Sequence, residues 1–356
     1  MSETLTIQSH KGPYTVRFDD AALARLDAAL PPNAHFIIDR RVADLYANEM
    51  ENVLDARSVL TIEATERAKS LDRFPSYVDH LVSRRVRRGD TLIAIGGGIT
   101  QDITCFLAAT LLRGIDWQFY PTTLLAQADS CIGSKSSINS GAAKNILGTF
   151  TPPREVHLST RFLETLDERD VRSGVGEILK VHAIAGVTEF DNLAETYVDL
   201  FTSQDVMRHY IRNALAIKKP FIESDEFDRG ERNIFNYGHS FGHAIEAATR
   251  FAIPHGIAIT MGMDIANYTA ARLADGPEAY FTRMHPTLRA NYRGFESEDI
   301  PLDAFLGALA KDKKNVGADL TLIQPDADGV LRKRRQVPDA AFRSCCEQFF
   351  AVVRVG

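Results

Sequence analysis

Short apolar runs alternate with amphipathic stretches through the first half of the chain. HFIID (35–39), SVLTIEA (58–64), DTLIAIGGG (90–98) and DWQFYPTT (116–123) have the length and β-branched or aromatic character of strands. Between them, RRVADLYANEM, PSYVDHLVSRRVRRG and TQDITCFLAATLLRG space their apolar residues three and four apart, as amphipathic helices do. Strand–helix alternation of this kind predicts an α/β domain with a doubly wound parallel sheet, an architecture suited to nucleotides. From about Thr165 the pattern changes to long helical segments, among them RSGVGEILKVHAIA, DVMRHYIRNALAIKKPFI and RNIFNYGHSFGHAIEAATRF, with few strand signals. The expected organisation is therefore a nucleotide-binding α/β domain over residues 1–164 and a mainly α-helical domain over 165–356.

Length and composition agree with two soluble domains. The chain has 356 residues, 45% hydrophobic and 25% charged, and no apolar run approaches the roughly 20 residues that span a bilayer. The N-terminal stretch MSETLTIQSHKGPYTVRF lacks a basic segment followed by an apolar core, so a cytoplasmic location is expected, with no membrane partner. Four cysteines, Cys105, Cys131, Cys345 and Cys346, are too few and too irregular for a disulfide framework or a CxxC metal site. A formal charge of −6 argues against nucleic acid as a partner. Any anionic ligand must be met by local cations.

Three places carry chemistry. IAIGGGITQD sets Gly96, Gly97 and Gly98 between an apolar strand and a helix, where free backbone N–H groups and the helix dipole suit a pyrophosphate. Asp39 and Glu66, acidic groups near strand ends, are either candidates to hold an adenosine ribose or solvated loop carboxylates. In FNYGHSFGHAIEAATRFAIPHG, His239 and His243 lie four apart on one helix face and His255 follows a turn at Pro254. This is a pattern that brings imidazoles to one divalent metal, with Glu177 of SGVGEILK as a possible carboxylate ligand. Lys135, Lys144, Lys180, Lys218, Lys219, Arg232, Lys313 and Lys314 are candidates for anion binding, the first two inside the small-residue segment DSCIGSKSSINSGAAKN.

In this order along the chain, GGGITQD, LLRG, PTTLLAQADSCIGSK, AAKNILG, SGVGEILK, DEFDRGERNIFNYGHSFGHAIE, HG and DKKN resemble the 3-dehydroquinate synthases and the wider sugar phosphate cyclases. The resemblance implies an N-terminal NAD-binding domain, a helical C-terminal domain that binds metal and substrate, and a divalent metal, zinc being the expected one. It assigns the metal to Glu177, His239 and His255, and moves His243 to a substrate-facing role. It places Lys135, Lys180, Lys218, Arg232, Asn236, His243, Asn145, Lys313 (or Lys314) and Arg113 at the catalytic site, with Arg113 reaching the partner's site in a homodimer. On the cofactor side it places Asp39, Glu66, Lys69, Gly96, Gly97, Gly98, Asp102, Thr122, Thr123, Asp129 and Lys144.

The implied reaction converts a seven-carbon keto-acid sugar phosphate, 3-deoxy-arabino-heptulosonate 7-phosphate, to a carbocycle with release of phosphate. NAD is reduced and reoxidised within each turnover. Arg232 favours an acid substrate; related cyclases act on sedoheptulose 7-phosphate or glucose 6-phosphate, which carry no carboxylate. Departures from the family pattern cluster near the substrate. Ser134, Ser136 and Ser140 stand in GSKSSINSGAAKN, Asp228 replaces a glutamate, and FNYGH replaces the common LNLGH.

Overall fold

A computed structural model of the chain describes every residue except Met1, Ser2, Ala142, Lys313, Val316 and Gly356. It divides into two units, Met1–Asp167 with Lys218–Asp228, and Glu168–Ile217 with Arg229–Gly356. Against the expected break at 164/165, the division falls at Asp167/Glu168, and an eleven-residue segment returns to the first unit. That segment is tied down by specific bonds. Lys218 Nζ donates to Asp129 O at 2.5 Å and Oδ1 at 2.8 Å, Gln8 N donates to Glu223 at 2.8 Å, and Ser9 Oγ and His10 N both donate to Glu226.

The first unit is built on a seven-stranded sheet. In chain order its strands are β1 (Glu3–Ile7), β2 (Tyr14–Phe18), β3 (Ala34–Asp39), β4 (Val59–Ile62), β5 (Thr91–Gly96), β6 (Asp116–Pro121) and β9 (Glu155–Leu158), the last following a small hairpin of β7 (Ile138–Ser140) and β8 (Ala143–Leu147). Across the sheet the order is β1-β2-β9-β6-β5-β3-β4, parallel apart from β1. Leu92, Ile93, Ala94 and Ile95 of β5 are buried, which is why this strand reads as a continuous apolar run: a parallel strand is covered on both faces. Each of its large side chains contributes about 1.5–3 kcal/mol by leaving water.

The direction of winding reverses between β3 and β5, where Ile38 pairs with Ile95. The carboxyl ends of these two strands, Asp39 and Gly96, therefore flank the switch point, where open α/β sheets bind their ligands. The helix Gly98–Thr110 starts directly after β5 and buries Ile103, Leu107 and Ala108.

The second unit is mainly helical, with one hairpin of β10 (Leu320–Pro325) and β11 (Leu331–Gln336) that the sequence pattern did not announce. Its centre is the helix His255–Leu273, buried from Gly256 to Ala270. Glycines let neighbouring helices touch it backbone to backbone. A Cβ on Gly256 would lie 1.7 Å from Ser173 O, one on Gly176 would lie 2.1 Å from Gly256 O, and one on Gly262 would lie 2.1 Å from Gly238 O. The helices Glu168–Ala185 and His239–Ala248 are thus drawn onto the start of the central helix. Among the described residues no helix is long and apolar enough to cross a membrane, and all four cysteines are buried free thiols.

Candidate active site

The close glycine contacts bring Glu177, His239 and His255 together in the helical unit. His239 is the first residue of its helix, entered through Gly238 in the left-handed region (φ 75°), and His255 is the first residue of the central helix, after Pro254. Glu177 is buried one turn from Lys180, whose ammonium pairs with its carboxylate. Glu177 Oε1 lies 3.4 Å from His255 Nε2 and 3.9 Å from His239 Nε2.

The outer nitrogens of both rings are occupied. His239 Nδ1 faces Tyr237 O at 3.2 Å, and His255 Nδ1 faces Glu246 Oε1 at 3.2 Å. Each imidazole therefore turns Nε2 inward, the arrangement in which a carboxylate or carbonyl behind a histidine orients it for a metal. Both Glu177 oxygens are buried and accept no hydrogen bond of ordinary geometry. Two imidazoles and a carboxylate of this kind suit a divalent ion of zinc type, so the residues fit the metal that the sequence led us to expect.

His243 also converges here. Ligand atoms of His239, His243 and His255 lie within 4.8 Å of one another, so geometry alone offers two overlapping sets. They differ in environment: His243 is exposed and Glu177 is buried. Although its side chain reaches the surface, His243 loses hydration to the protein around it, and this, with the neighbouring His255, pushes it down to about 4, leaving it neutral near pH 7; Lys314 and Asp312 lie close enough to act on its charge. Burial depresses His255, but Glu177 and Glu246 more than reverse this and raise it to about 10. Burial, with Lys180 beside it, holds His239 well below the usual range.

Other expected residues of this unit lie nearby in sequence. Arg232 is buried on the turn Glu231–Asn236, and Asn236 Nδ2 donates to Asn233 O at 3.0 Å. Lys180 stands 5.8 Å from the Phe235 ring. Of the 313–314 pair, Lys313 lies outside the described residues, and Lys314 Nζ is paired with Asp312 at 3.2 Å.

In the first unit the cofactor candidates gather at the carboxyl ends of the strands. Thr122 N donates to Gly96 O at 2.9 Å. A Cβ on Gly96 would collide with Thr100 at 2.4 Å and one on Gly97 with Thr123 at 2.8 Å, whereas one on Gly98 would meet nothing within 4 Å. The turn is thus packed beneath and open above, as a pyrophosphate cradle must be. Asp39 caps the next helix by accepting Arg41 N at 3.0 Å, and burial raises its pKa.

Glu66, Lys69, Asp102 and Asn145 form one network. Lys69 Nζ donates to Asp102 at 3.0 Å and Asn145 Oδ1 at 3.1 Å, and lies 3.5 Å from Glu66. Asn139 bridges Glu66 to the Asn145 N–H. The Asn145 carbonyl oxygen, expected toward substrate, is thus engaged by a cofactor-side lysine. Lys144 is exposed on β8, Lys135 pairs with Asp228, and Asp129 with Lys218. Arg113 is exposed on a turn where Leu112 and Arg113 both have positive φ, 52° and 68°.

Glu246 was absent from the sequence-derived set, although its spacing offered a signal. His239, His243 and Glu246 follow one another at four and three residues on one helix face.

Residues 59–173 match the family profile described as 3-dehydroquinate synthase N-terminal, and residues 174–315 match 3-dehydroquinate synthase C-terminal. A 3-dehydroquinate synthase from Bradyrhizobium diazoefficiens is 33% identical over 93% of this chain and 91% of its own length. The chain belongs to the 3-dehydroquinate synthase family. It is an enzyme of the phosphate-eliminating carbon–oxygen lyase type. A second 3-dehydroquinate synthase, from Cereibacter sphaeroides, is 32% identical over 95% of this family member and 96% of its own length.

Among solved structures, the 2-epi-5-epi-valiolone synthase of Streptomyces hygroscopicus, with NAD+ and Zn2+ bound, is 26% identical with a TM-score of 0.80, covering 94% of this chain and 97% of that one. A 2-deoxy-scyllo-inosose synthase complexed with carbaglucose-6-phosphate, NAD+ and Co2+ shares the fold at 22% identity, TM-score 0.81, covering 98% and 99%.

Proposed function

We propose that this member of the family is a 3-dehydroquinate synthase, converting 3-deoxy-arabino-heptulosonate 7-phosphate to a carbocyclic acid with release of phosphate. The observation that carries the reading is the convergence of Glu177 Oε1 with the inward Nε2 atoms of His239 and His255, in a chain one-third identical to synthases over nearly its whole length.

Glu177, His239 and His255 would hold a divalent metal, zinc in the first instance, and the Gly96–Gly98 turn with Asp39 and the Lys69 network would hold NAD. When bound, the metal would supply polarisation of substrate hydroxyl and carbonyl groups, and NAD would supply a reversible hydride acceptor. This chain's own residues do the rest. Arg232 pairs with the substrate carboxylate as a planar fork, assisted by Lys218. Lys135, Asn145, Asn236 and His243 bind the phosphate, His243 being a neutral imidazole that donates a hydrogen bond from one ring nitrogen. Lys180 neutralises the buried Glu177 carboxylate and keeps it ionised. Arg113 acts from the partner subunit in a homodimer.

A second reading, a cyclase acting on sedoheptulose 7-phosphate or glucose 6-phosphate, draws on one feature. The phosphate-binding candidate Lys135 is paired with Asp228, the shorter residue that stands where the family has glutamate. The test is to offer the purified enzyme the three sugar phosphates separately and follow released phosphate. Turnover of the keto acid supports the synthase; turnover of a neutral sugar phosphate in its place supports the second reading.

A further inference from the structure

A basic cavity of about 580 Å³ opens in the first unit at the end of the sheet opposite the glycine turn. Its walls come from the residues just before four parallel strands: Lys11–Tyr14 before and into β2, Arg88 ahead of β5, Gly114–Asp116 at the start of β6, and Thr151–Arg154 ahead of β9. Ligands of open α/β sheets bind at the carboxyl ends of the strands. Gly96–Gly98 mark that end, about 20 Å away for a six-residue strand, so this cavity is separate from the cofactor turn.

Its charge is one-sided. Among the described residues that line it, Lys11, Arg88 and Arg154 stand with a single carboxylate, Asp116, which is paired to Arg154 at 3.1 Å. Among the described residues, the one hydrogen-bond partner of Lys11 Nζ is Thr151 Oγ1, at 3.5 Å. The segment that supplies Arg88 also carries Arg84, Arg85 and Arg87, and among the described residues none of these four guanidinium groups has an ion pair or hydrogen bond.

The nearest carboxylate in sequence, Asp90, is turned inward, where it accepts the Arg87 backbone N–H at 2.7 Å and faces His35 Nε2 at 3.0 Å. It fixes the loop without neutralising it. A chain with formal charge −6 thus concentrates uncompensated arginine beside a concave site walled by the buried, rigid Pro152 and Pro153.

We propose that this cavity is a second ligand site, which takes a small polyanion carrying two or more phosphate, sulfonate or carboxylate groups. The volume is that of a small-molecule site, which runs from about 300 to 1,000 Å³. Guanidinium groups suit such anions because they bind them with paired, charge-assisted bonds. A concave site with stiff walls favours a small ligand over an extended nucleic acid backbone.

The probe is hydroxypyrenetrisulfonate, a fluorescent trianion, titrated against the full-length, metal- and NAD-loaded enzyme by anisotropy. The expected result is saturable binding that weakens at least about tenfold in Lys11→Ala/Arg88→Ala, with phosphate release from the sugar phosphate substrate and thermal midpoint unchanged. Lys135→Ala and Arg232→Ala leave dye binding as in the wild type. No saturable binding, or full affinity in the Lys11/Arg88 variant, overturns the proposal. Loss of binding in the Lys135 or Arg232 variant also overturns it, because the dye is then in the substrate site. If a single-stranded oligonucleotide binds more tightly than the dye and depends on Arg84, Arg85 and Arg87, the face is a nucleic acid surface and the small-ligand proposal fails.

Discussion

Glu246 Oε1 lies 3.2 Å from His255 Nδ1, and this contact turns the opposite ring nitrogen toward Glu177. A carboxylate in that position fixes the ring and makes it a better donor to a metal. Glu246→Gln keeps a hydrogen-bonding group but removes the charge. Metal affinity, measured by competition with a chromogenic chelator, is expected to fall about 10- to 100-fold, with the thermal midpoint of the metal-free protein little changed. Affinity equal to wild type would mean that Glu246 does not orient His255.

His255→Ala and His243→Ala separate the two overlapping ligand sets. His255→Ala is expected to lose the metal and nearly all turnover, and His243→Ala to keep the metal with impaired turnover. Elemental analysis of the purified variants decides between them. Equal metal loss in both would favour the three-histidine set.

Gly256→Ala tests how the site is assembled. Its Cβ would lie 1.7 Å from the Ser173 carbonyl oxygen, a backbone atom that cannot swing aside as a side chain can. Overpacking usually costs about 1–3 kcal/mol, and a backbone clash belongs at or above the top of that range. Urea denaturation should show the loss, and metal affinity should fall with it, because the same contact positions Glu177 against His255.

Much of this arrangement was legible in the sequence, and the parts that were not have physical reasons. β3, β4, β5 and β6 each carry the dense apolar run of a parallel strand, and the glycine turn after β5 falls where the pattern put it. β1 and β2 are half-exposed strands near the N-terminus, and β10 is a short buried run in a helical context; neither pattern is long enough to identify alone. The HxxxH spacing correctly grouped His239 with His243 on one face, but spacing within one helix says nothing of Glu177, which arrives through contacts at Gly176 and Gly256. The resemblance put Lys69 on the cofactor side with Glu66 and Asp102, but its burial between Asp102, Glu66 and Asn145 is a relationship between distant segments that no local pattern encodes.

Asp102 gives the pH prediction. Burial, only partly offset by Lys69, raises its pKa from 3.8 to about 6. A carboxyl with a raised folded-state pKa contributes stability that is fully present below the unfolded value of 3.8 and is lost as pH rises through about 6. The stability of the cofactor-free wild type relative to Asp102→Asn should therefore fall between pH 5 and 7.5 by about 1.4 kcal/mol, at 1.36 kcal/mol per unit over the one unit between pH 5 and the folded-state value of about 6. Urea titrations at the two pH values measure it. A difference that grows with pH would show that the Lys69 pair outweighs burial.

Arg232 sets substrate choice in this account. Arg232→Ala should cost about 2–5 kcal/mol in kcat/KM for the keto-acid sugar phosphate, as removal of one partner from a closed charge pair does. Arg232→Lys should restore only part of it, since an ammonium lacks the planar fork. Steady-state phosphate release gives both values; full activity in the Lys variant would remove the bidentate role.

The most direct test of the central claim is one assay in which phosphate release and NADH absorbance are followed together, with 3-deoxy-arabino-heptulosonate 7-phosphate in large excess over enzyme and NAD. Many phosphates should be released per NAD, with no accumulation of NADH, because the hydride removed in each turnover is returned in the same turnover. Phosphate release absent, or NADH formed in step with product as in an alcohol dehydrogenase, would contradict it.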